Sequence, residues 1–326
     1  MSNLKHKLLD EVKDDLRDIE TALQENLGPH IDVVRQVASH ILFSGGKRLR
    51  PLLLVLSSRI CGYGDDYVKT FSIVFEYLHA ATLLHDDLID SATLRRGKPV
   101  AHSVWGNSIA VLVGDFLLAR SLSIGTETGY LKIIKIIADV TENMSQGEIQ
   151  QLMRKGNPDL SEAEYMEIIQ RKTAMLIQGT CRVGAVMADA SPEEEEALST
   201  YGLNLGIAFQ IADDLLDYTA DTKSLGKELG ADLREGKLTL PVICSMKAAA
   251  PEHRISMENI IKNENFSVQD FETLVEMLKK YGGLVYAEQV AAKHIENAKQ
   301  ALSVFGDSKT KDILLHIADY ALNRKE

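Results

Sequence analysis

Apolar residues recur along this chain at three- and four-residue spacing, the period of a helix. Val74, Leu78, Ala81, Leu84 and Leu88 keep that spacing inside a stretch, Asp65 to Arg96, that has neither Pro nor Gly. One continuous apolar helical face follows. Leu203, Ile207, Ile211 and Leu215 repeat the pattern, and Leu4, Leu8, Val12, Leu16, Ile19 and Leu23 define an amphipathic opening helix. Period-two alternation bounded by turn signals is scarce, so the expected fold class is all-α.

The helical pattern breaks at NLGPH (Asn26–His30), FSGGKRLRP (Phe43–Pro51), RRGKP (Arg95–Pro99), KGNPD (Lys155–Asp159) and GKELGADLREGK (Gly226–Lys237). None has the Ser/Gly tract, charge block or low complexity of an interdomain linker. A single domain over residues 1–326 is expected, with the opening helix of residues 1–28 part of it. ASPEEEE (Ala190–Glu196) reads as a solvated helix start, with Ser191 as N-cap, Pro192 in the first turn and acids favoured by the dipole.

Composition narrows the class. The chain has 326 residues, 45% hydrophobic and 25% charged, as expected for a globular protein. Cys61, Cys181 and Cys244 show no metal-binding spacing and read as buried thiols in a reducing compartment. The amphipathic, charged opening helix is not expected to act as a secretory signal. No uninterrupted apolar run reaches the roughly 18 residues of a membrane span, so a cytoplasmic protein is expected. A net charge of −11 excludes a general nucleic-acid surface.

The polar positions that interrupt the apolar helices carry the chemistry. HDDLID (His85–Asp90) and DDLLD (Asp213–Asp217) each set three carboxylates at helical spacing, so Asp86, Asp87 and Asp90 converge, as do Asp213, Asp214 and Asp217. Each triad follows an apolar run, HAATLL or LGIAFQIA. Unpaired carboxylates in such surroundings are costly without a cation. Hard oxygen ligands suit Mg²⁺, which keeps waters and bridges to phosphates. A third copy, DDLRD (Asp14–Asp18), sits where charges fill every non-core position, with Lys13 and Arg17 beside it. It reads as surface decoration.

Basic loops supply the counterpart. SGGKRLRP (Ser44–Pro51) joins two glycines to Lys47, Arg48 and Arg50 near a helix start, an anion-binding combination without Walker spacing. Arg95 and Arg96 follow the first triad closely enough to hold the far oxygens of a metal-bound phosphate. Lys172, Thr173, Gln210, Lys227 and Lys237 are weaker signals one by one; Lys227 and Lys237 flank Asp232 just after DDLLD. The residues describe a clamp for two diphosphate-type anions, one held through metal and one through Lys and Arg.

These motifs together resemble the trans-polyprenyl diphosphate synthase family. GGKRLRP, HDDLIDSATLRRGKP, GDFLLARS (Gly114–Ser121), the Gly147-Glu148…Gln151 region, KTA, AFQIADDLLDY and GKELGADLREGKLTLP occur in family order across most of the chain. The resemblance implies an all-helical isoprenoid synthase fold around a central elongated cavity, normally as a homodimer. It implies that Asp86, Asp87 and Asp90 bind Mg²⁺ on an allylic diphosphate, with Asp213 joining from the opposite helix. Asp214 and Asp217 then act mostly through metal-bound water. About three Mg²⁺ per active site are implied, with Mn²⁺ as a substitute.

By the same resemblance, Arg95, Lys172, Lys227 and Lys237 hold the allylic diphosphate, with Thr173 beside Lys172. Lys47, Arg50, His79, Arg96 and Gln210 hold isopentenyl diphosphate. Departing diphosphate is stabilised, the allylic C–O bond ionises, the isopentenyl double bond attacks, and the released diphosphate takes the proton. No nucleophilic side chain is needed.

Product length is expected to depend on residues just before Asp86, because helical Cβ atoms point toward the N-terminus. Short-chain members carry an aromatic there, whereas Ala81 and Thr82 are small. The floor is then expected lower, among Phe75, Leu78 and the run Leu131–Ile137. A long all-trans product of the octaprenyl class is expected, for quinone side chains, with peripheral membrane contact at most for its release. The alternatives are a geranylgeranyl diphosphate synthase, a terpene cyclase, the regulatory subunit of a two-component synthase and a calcium-binding helical module. The last lacks EF-hand spacing. A cyclase has no use for Lys47, Arg50 and Arg96, and regulatory subunits typically lose the acidic triads retained here.

Overall fold

The computed structural model describes residues 2–219, 230–263 and 265–323. Lys227, one of the expected diphosphate ligands, lies outside the described residues. The chain forms α1 (Ser2–Glu25), α2 (Asp32–Leu42), α3 (Leu49–Ile60), α4 (Tyr67–Ile89), a small hairpin of β1 (Leu94–Arg95) and β2 (Lys98–Pro99), α5 (Ala101–Trp105), α6 (Asn107–Glu127), α7 (Leu131–Arg154), α8 (Glu162–Ile169), α9 (Met175–Met187) and α10 (Pro192–Thr219). After these come α11 (Ala231–Arg234), α12 (Leu240–Ala248), α13 (Pro251–Ile261), α14 (Val268–Lys280), α15 (Gly283–Ala301) and α16 (Lys309–Asn323). A π-helical turn, Gln170–Ala174, joins α8 to α9. The all-α expectation holds, and the long helices cover the stretches whose periodicity announced them.

The described chain falls into two compact units. The first comprises Met1–Thr141, Ile177–Ser199 and Val304–Leu314; the second comprises Glu142–Leu176, Thr200–Ser303 and Leu315–Glu326. In the first, α4 is the central element, packed against α1, α2, α3, α5 and α6. Its Phe71, Ile73, Val74, Phe75 and Tyr77 are fully enclosed, which explains a helix apolar on nearly every side. In the second, α12 packs on α8, α14 and α15, with Tyr165, Ile211, Leu240, Leu274 and Ala287 in one apolar cluster.

Three expectations are corrected here. DDLRD is more than decoration: Asp15 is only 8% exposed and meets Arg59 of α3 through two contacts of 2.6 and 3.0 Å. Asp18 takes Lys69 of α4 at 2.8 Å, so the motif fastens the opening helix to its neighbours. The start of α10 has the expected cap, with Glu194 and Ser191 exchanging hydrogen bonds, but Glu195 is buried and held by Lys132 and Arg182. Cys181 alone of the three thiols is buried; Cys61 and Cys244 are partly exposed.

α6 is long and apolar enough to cross a membrane by length and composition. Ala110, Val113, Gly114, Leu117, Ser121 and Ile124 are its buried face. Asp115 and Arg120 break the apolar run outside that face.

Candidate active site

In the first unit the acidic triad occupies the last turn of α4. Negative charge at a helix C-terminus opposes the macrodipole, so the position needs compensation. Backbone geometry fixes the end: Ser91 takes a left-handed φ of 53°, Ala92 N–H donates to Asp87 O at 2.9 Å and Ser91 N–H to Leu88 O at 3.3 Å. That is a Schellman stop built on Ser rather than the usual Gly. The chain then turns through Arg96 and Gly97, both at positive φ of 51° and 74°, as a two-residue primed hairpin requires. The hairpin pairs Arg95 with Lys98 and brings the Arg95 guanidinium onto Asp87, Nε lying 2.8 and 3.0 Å from the two carboxylate oxygens. Asp87 is buried, while Asp86 and Asp90 are half-buried.

His85, the first residue of HDDLID, has a structural task. Its Nε2 lies 3.2 Å from Val111 O and 3.6 Å from Asp115 on α6. A Cβ on Gly114 would stand 2.2 Å from that imidazole. The glycine of GDFLLARS therefore lets α6 approach the triad-bearing turn.

Arginines from the start of α3 and from the hairpin gather around His79 of α4. His79 is pushed well below its ordinary pKa by burial and then by the charges of Arg50, Arg95, Arg96 and Arg48. Burial pulls Arg50 down, and burial with repulsion from Arg95 does the same to Arg96. Positive charge is thus disfavoured among these side chains, and a neighbouring anion would offset that. Arg50 Nε is buried with no hydrogen-bond partner, an orphan donor of the kind an anionic oxygen satisfies. Gly45 and Gly46 lie against Arg96, which connects the two basic loops. Lys47 is exposed at the tip of the first.

Arg48 plays another part. It is buried, donates to Glu20 at 2.6 Å and Glu76 at 2.9 Å, and reaches Leu42 O at 2.7 Å. It fastens α1, α3 and α4 together. Glu76, the buried counter-charge of the cluster, went unnoticed in sequence, although a lone carboxylate in FSIVFEYL was a signal.

Below the triad, Ala81, Leu78 and Phe75 are buried, and Thr82 spends its hydroxyl on His79 O at 2.9 Å. Phe75 meets Ile136 and Val140 of α7 around Gly179 of α9: a Cβ there would lie 3.5 Å from Phe75 Cε1, 3.5 Å from Ile136 Cγ2 and 2.4 Å from Val140 Cγ2. Of the expected floor run, Ile133, Ile136 and Ile137 are buried whereas Leu131 is 85% exposed.

In the second unit the other triad ends α10. Asp214 is buried, accepting from Tyr165 Oη at 2.5 Å and Gln210 Nε2 at 2.7 Å; Thr173 Oγ1 donates to Gln210 Oε1 at 3.0 Å. Burial pushes the Asp214 carboxyl up to about 7; the Tyr165 and Gln210 hydrogen bonds oppose this, and Asp213 and Asp217 add to it. Asp217 accepts backbone N–H groups of Ala231 at 3.1 Å and Asp232 at 3.2 Å, capping the turn of α11. Asp213 is exposed. Lys237 pairs with Glu235 at 2.6 Å. Tyr165 is a second residue missed in sequence, since a single Tyr in an amphipathic helix carries no pattern.

Lys172 and Thr173 sit on the π turn, a widened helical step common at functional sites. Lys172 pairs with Glu148 of α7. Gly147 admits the turn, since a Cβ there would lie 2.6 Å from Lys172 N.

The donor set fits a hard divalent metal bound with help from substrate. Among the described residues no three His, Cys, Asp or Glu side chains already form a metal-binding group. Asp87, Asp214 and Asp217 accept from protein donors; Asp86 and Asp90 are half-buried and Asp213 is exposed. Oxygen-only ligands that leave positions for water and phosphate match Mg²⁺ chemistry.

Comparison with known proteins agrees. The polyprenyl synthetase family model matches residues 31–278. The octaprenyl diphosphate synthase of Escherichia coli is 37% identical over 310 residues, covering 95% of this chain and 96% of that protein. The geranyl-diphosphate-specific all-trans-nonaprenyl-diphosphate synthase of Rhodobacter capsulatus is 34% identical, covering 99% and 98%. A polyprenyl synthase of Caulobacter crescentus CB15, solved with calcium and isoprenyl diphosphate, superposes with a TM-score of 0.92 at 38% identity, covering 98% of each chain. The chain therefore belongs to the polyprenyl synthetase family and is a prenyltransferase of the polyprenyl diphosphate synthase type.

Proposed function

We propose that this enzyme condenses isopentenyl diphosphate with farnesyl or geranylgeranyl diphosphate, head to tail, into a long all-trans polyprenyl diphosphate of the octaprenyl class, for quinone side chains. The observation that carries the length is the small pair Ala81 and Thr82 beneath Asp86, in a chain similar to octaprenyl and nonaprenyl synthases. We read the whole chain as one catalytic domain, active in the cytoplasm as a homodimer, with peripheral membrane contact at most.

Asp86, Asp87, Asp90 and Asp213 would hold Mg²⁺, backed by Asp214 and Asp217, and the bound metal would neutralise charge on the departing diphosphate. Arg95, Lys172, Lys227 and Lys237 orient the allylic diphosphate, with Thr173 alongside. Lys47, Arg50, His79 and Arg96 receive isopentenyl diphosphate, with Gln210 assisting while it steadies Asp214. Arg95, held beside the triad by Asp87, can grip phosphate oxygens bidentately. Neutral His79 offers one N–H donor without adding repulsion to the arginines. Ala81, Leu78 and Phe75 form an aliphatic and aromatic wall that keeps water from the carbocation. The released diphosphate removes the proton, so the side chains only position and shield.

Purified protein should lose turnover on chelation and in Asp86→Ala while remaining folded by circular dichroism. Retained turnover in both would remove the catalytic reading and leave a binding or regulatory protein.

A further inference from the structure

We infer that Glu148 is a positioning residue for the reaction: its carboxylate sets the Lys172 ammonium in place to receive the allylic diphosphate. The inference rests on the reading that Lys172 holds that diphosphate. Lys172 projects from the π turn, and α7 is shaped to meet it. Gly147 brings the α7 backbone so close to Lys172 N that no Cβ could stand between, and the next residue, Glu148, takes the ammonium.

Anchoring the turn does not require this charge. Arg171 already binds Asn143 at 3.1 Å and Gln146 at 3.3 Å on α7, and Glu167 at 3.0 Å on α8. Glu148 is largely enclosed, its side chain 13% exposed, and its Oε1 is buried without a hydrogen-bond partner. A half-satisfied, enclosed carboxylate is an expensive way to tie two helices when Arg171 does so beside it. Its effect falls on Lys172. An ammonium has three donors on a flexible stem, so Lys172 can keep one on Glu148 and turn others to a phosphate oxygen. Glu148 thus confines the lysine without competing against a more highly charged diphosphate.

The test is a double-mutant cycle with both substrate KM values and melting temperatures measured. Glu148→Gln should raise the KM for farnesyl diphosphate about tenfold, the scale of removing a residue that orients a ligand-binding side chain. The KM for isopentenyl diphosphate should stay unchanged, and Glu148→Asp should recover most of the loss. In a Lys172→Ala background, Glu148→Gln should add nothing. Equal increases in both KM values, an additive effect in that background, or no effect at all overturns the positioning role. Lys172→Ala separately tests the underlying reading, which fails if the KM for farnesyl diphosphate does not rise.

Discussion

Arg95 and Asp87 are locked together: Nη2 lies 2.7 Å from Oδ1, and Nε is within 3.0 Å of both oxygens. Asp87 is 2% exposed, so this guanidinium is what makes a carboxylate tolerable there. Arg95→Gln should therefore cost stability as well as activity, by about 3 kcal/mol, the scale of stranding one member of a buried pair. Mg²⁺ with inorganic diphosphate should restore part of the lost melting temperature. An Arg95→Gln variant as stable as wild type would show that Asp87 needs no partner.

The repeated Asp-Asp-x-x-Asp pattern separates into structural and catalytic copies. Asp15→Asn, which removes the charge from the Arg59 contact, should lower stability by about 1–2 kcal/mol and leave turnover per folded molecule intact. Asp86→Asn should do the reverse, with turnover falling about a thousandfold or more and stability unchanged or raised. Paired denaturant melts and initial rates decide this; equal behaviour of the two variants would break the distinction.

His79 makes stability pH-dependent. Its folded-state pKa lies well below the ordinary value because of burial and the surrounding arginines. As pH falls below about 6.5 the unfolded chain takes up a proton that the folded chain refuses, so stability declines at up to about 1.4 kcal/mol per pH unit until the folded-state pKa is reached. Between pH 7 and 5.5, wild type should lose about 1 kcal/mol more than His79→Gln in denaturant titrations. Parallel losses would mean that His79 is not held neutral.

Ala81 is buried one and a half turns before Asp86. Ala81→Tyr places an aromatic across the path assigned to the growing chain and should shorten the product by several isoprene units without abolishing condensation. Mass spectrometry of the products reads this directly. An unchanged length would put the path along another face of α4.

Much of this was legible before the structure because burial announces itself in composition. HDDLID and DDLLD stood out from DDLRD by their apolar neighbours, and the helices followed from three- and four-residue spacing. What stayed hidden lay in backbone conformation and in single polar residues. Ser91 and Arg96 adopt left-handed φ values that neither residue type advertises, and together they deliver Arg95 to Asp87. Asp15 looked solvated because its partner, Arg59, lies on another helix. Tyr165 binds Asp214 from a position that periodicity assigns simply to the core. Lone polar residues find their partners only in three dimensions.

Product mass tests the central claim most directly. Purified protein given farnesyl diphosphate, excess isopentenyl diphosphate and Mg²⁺ should accumulate a polyprenyl diphosphate of the octaprenyl class. Accumulation that stops at the geranylgeranyl stage, with excess isopentenyl diphosphate remaining, would contradict the long-chain assignment.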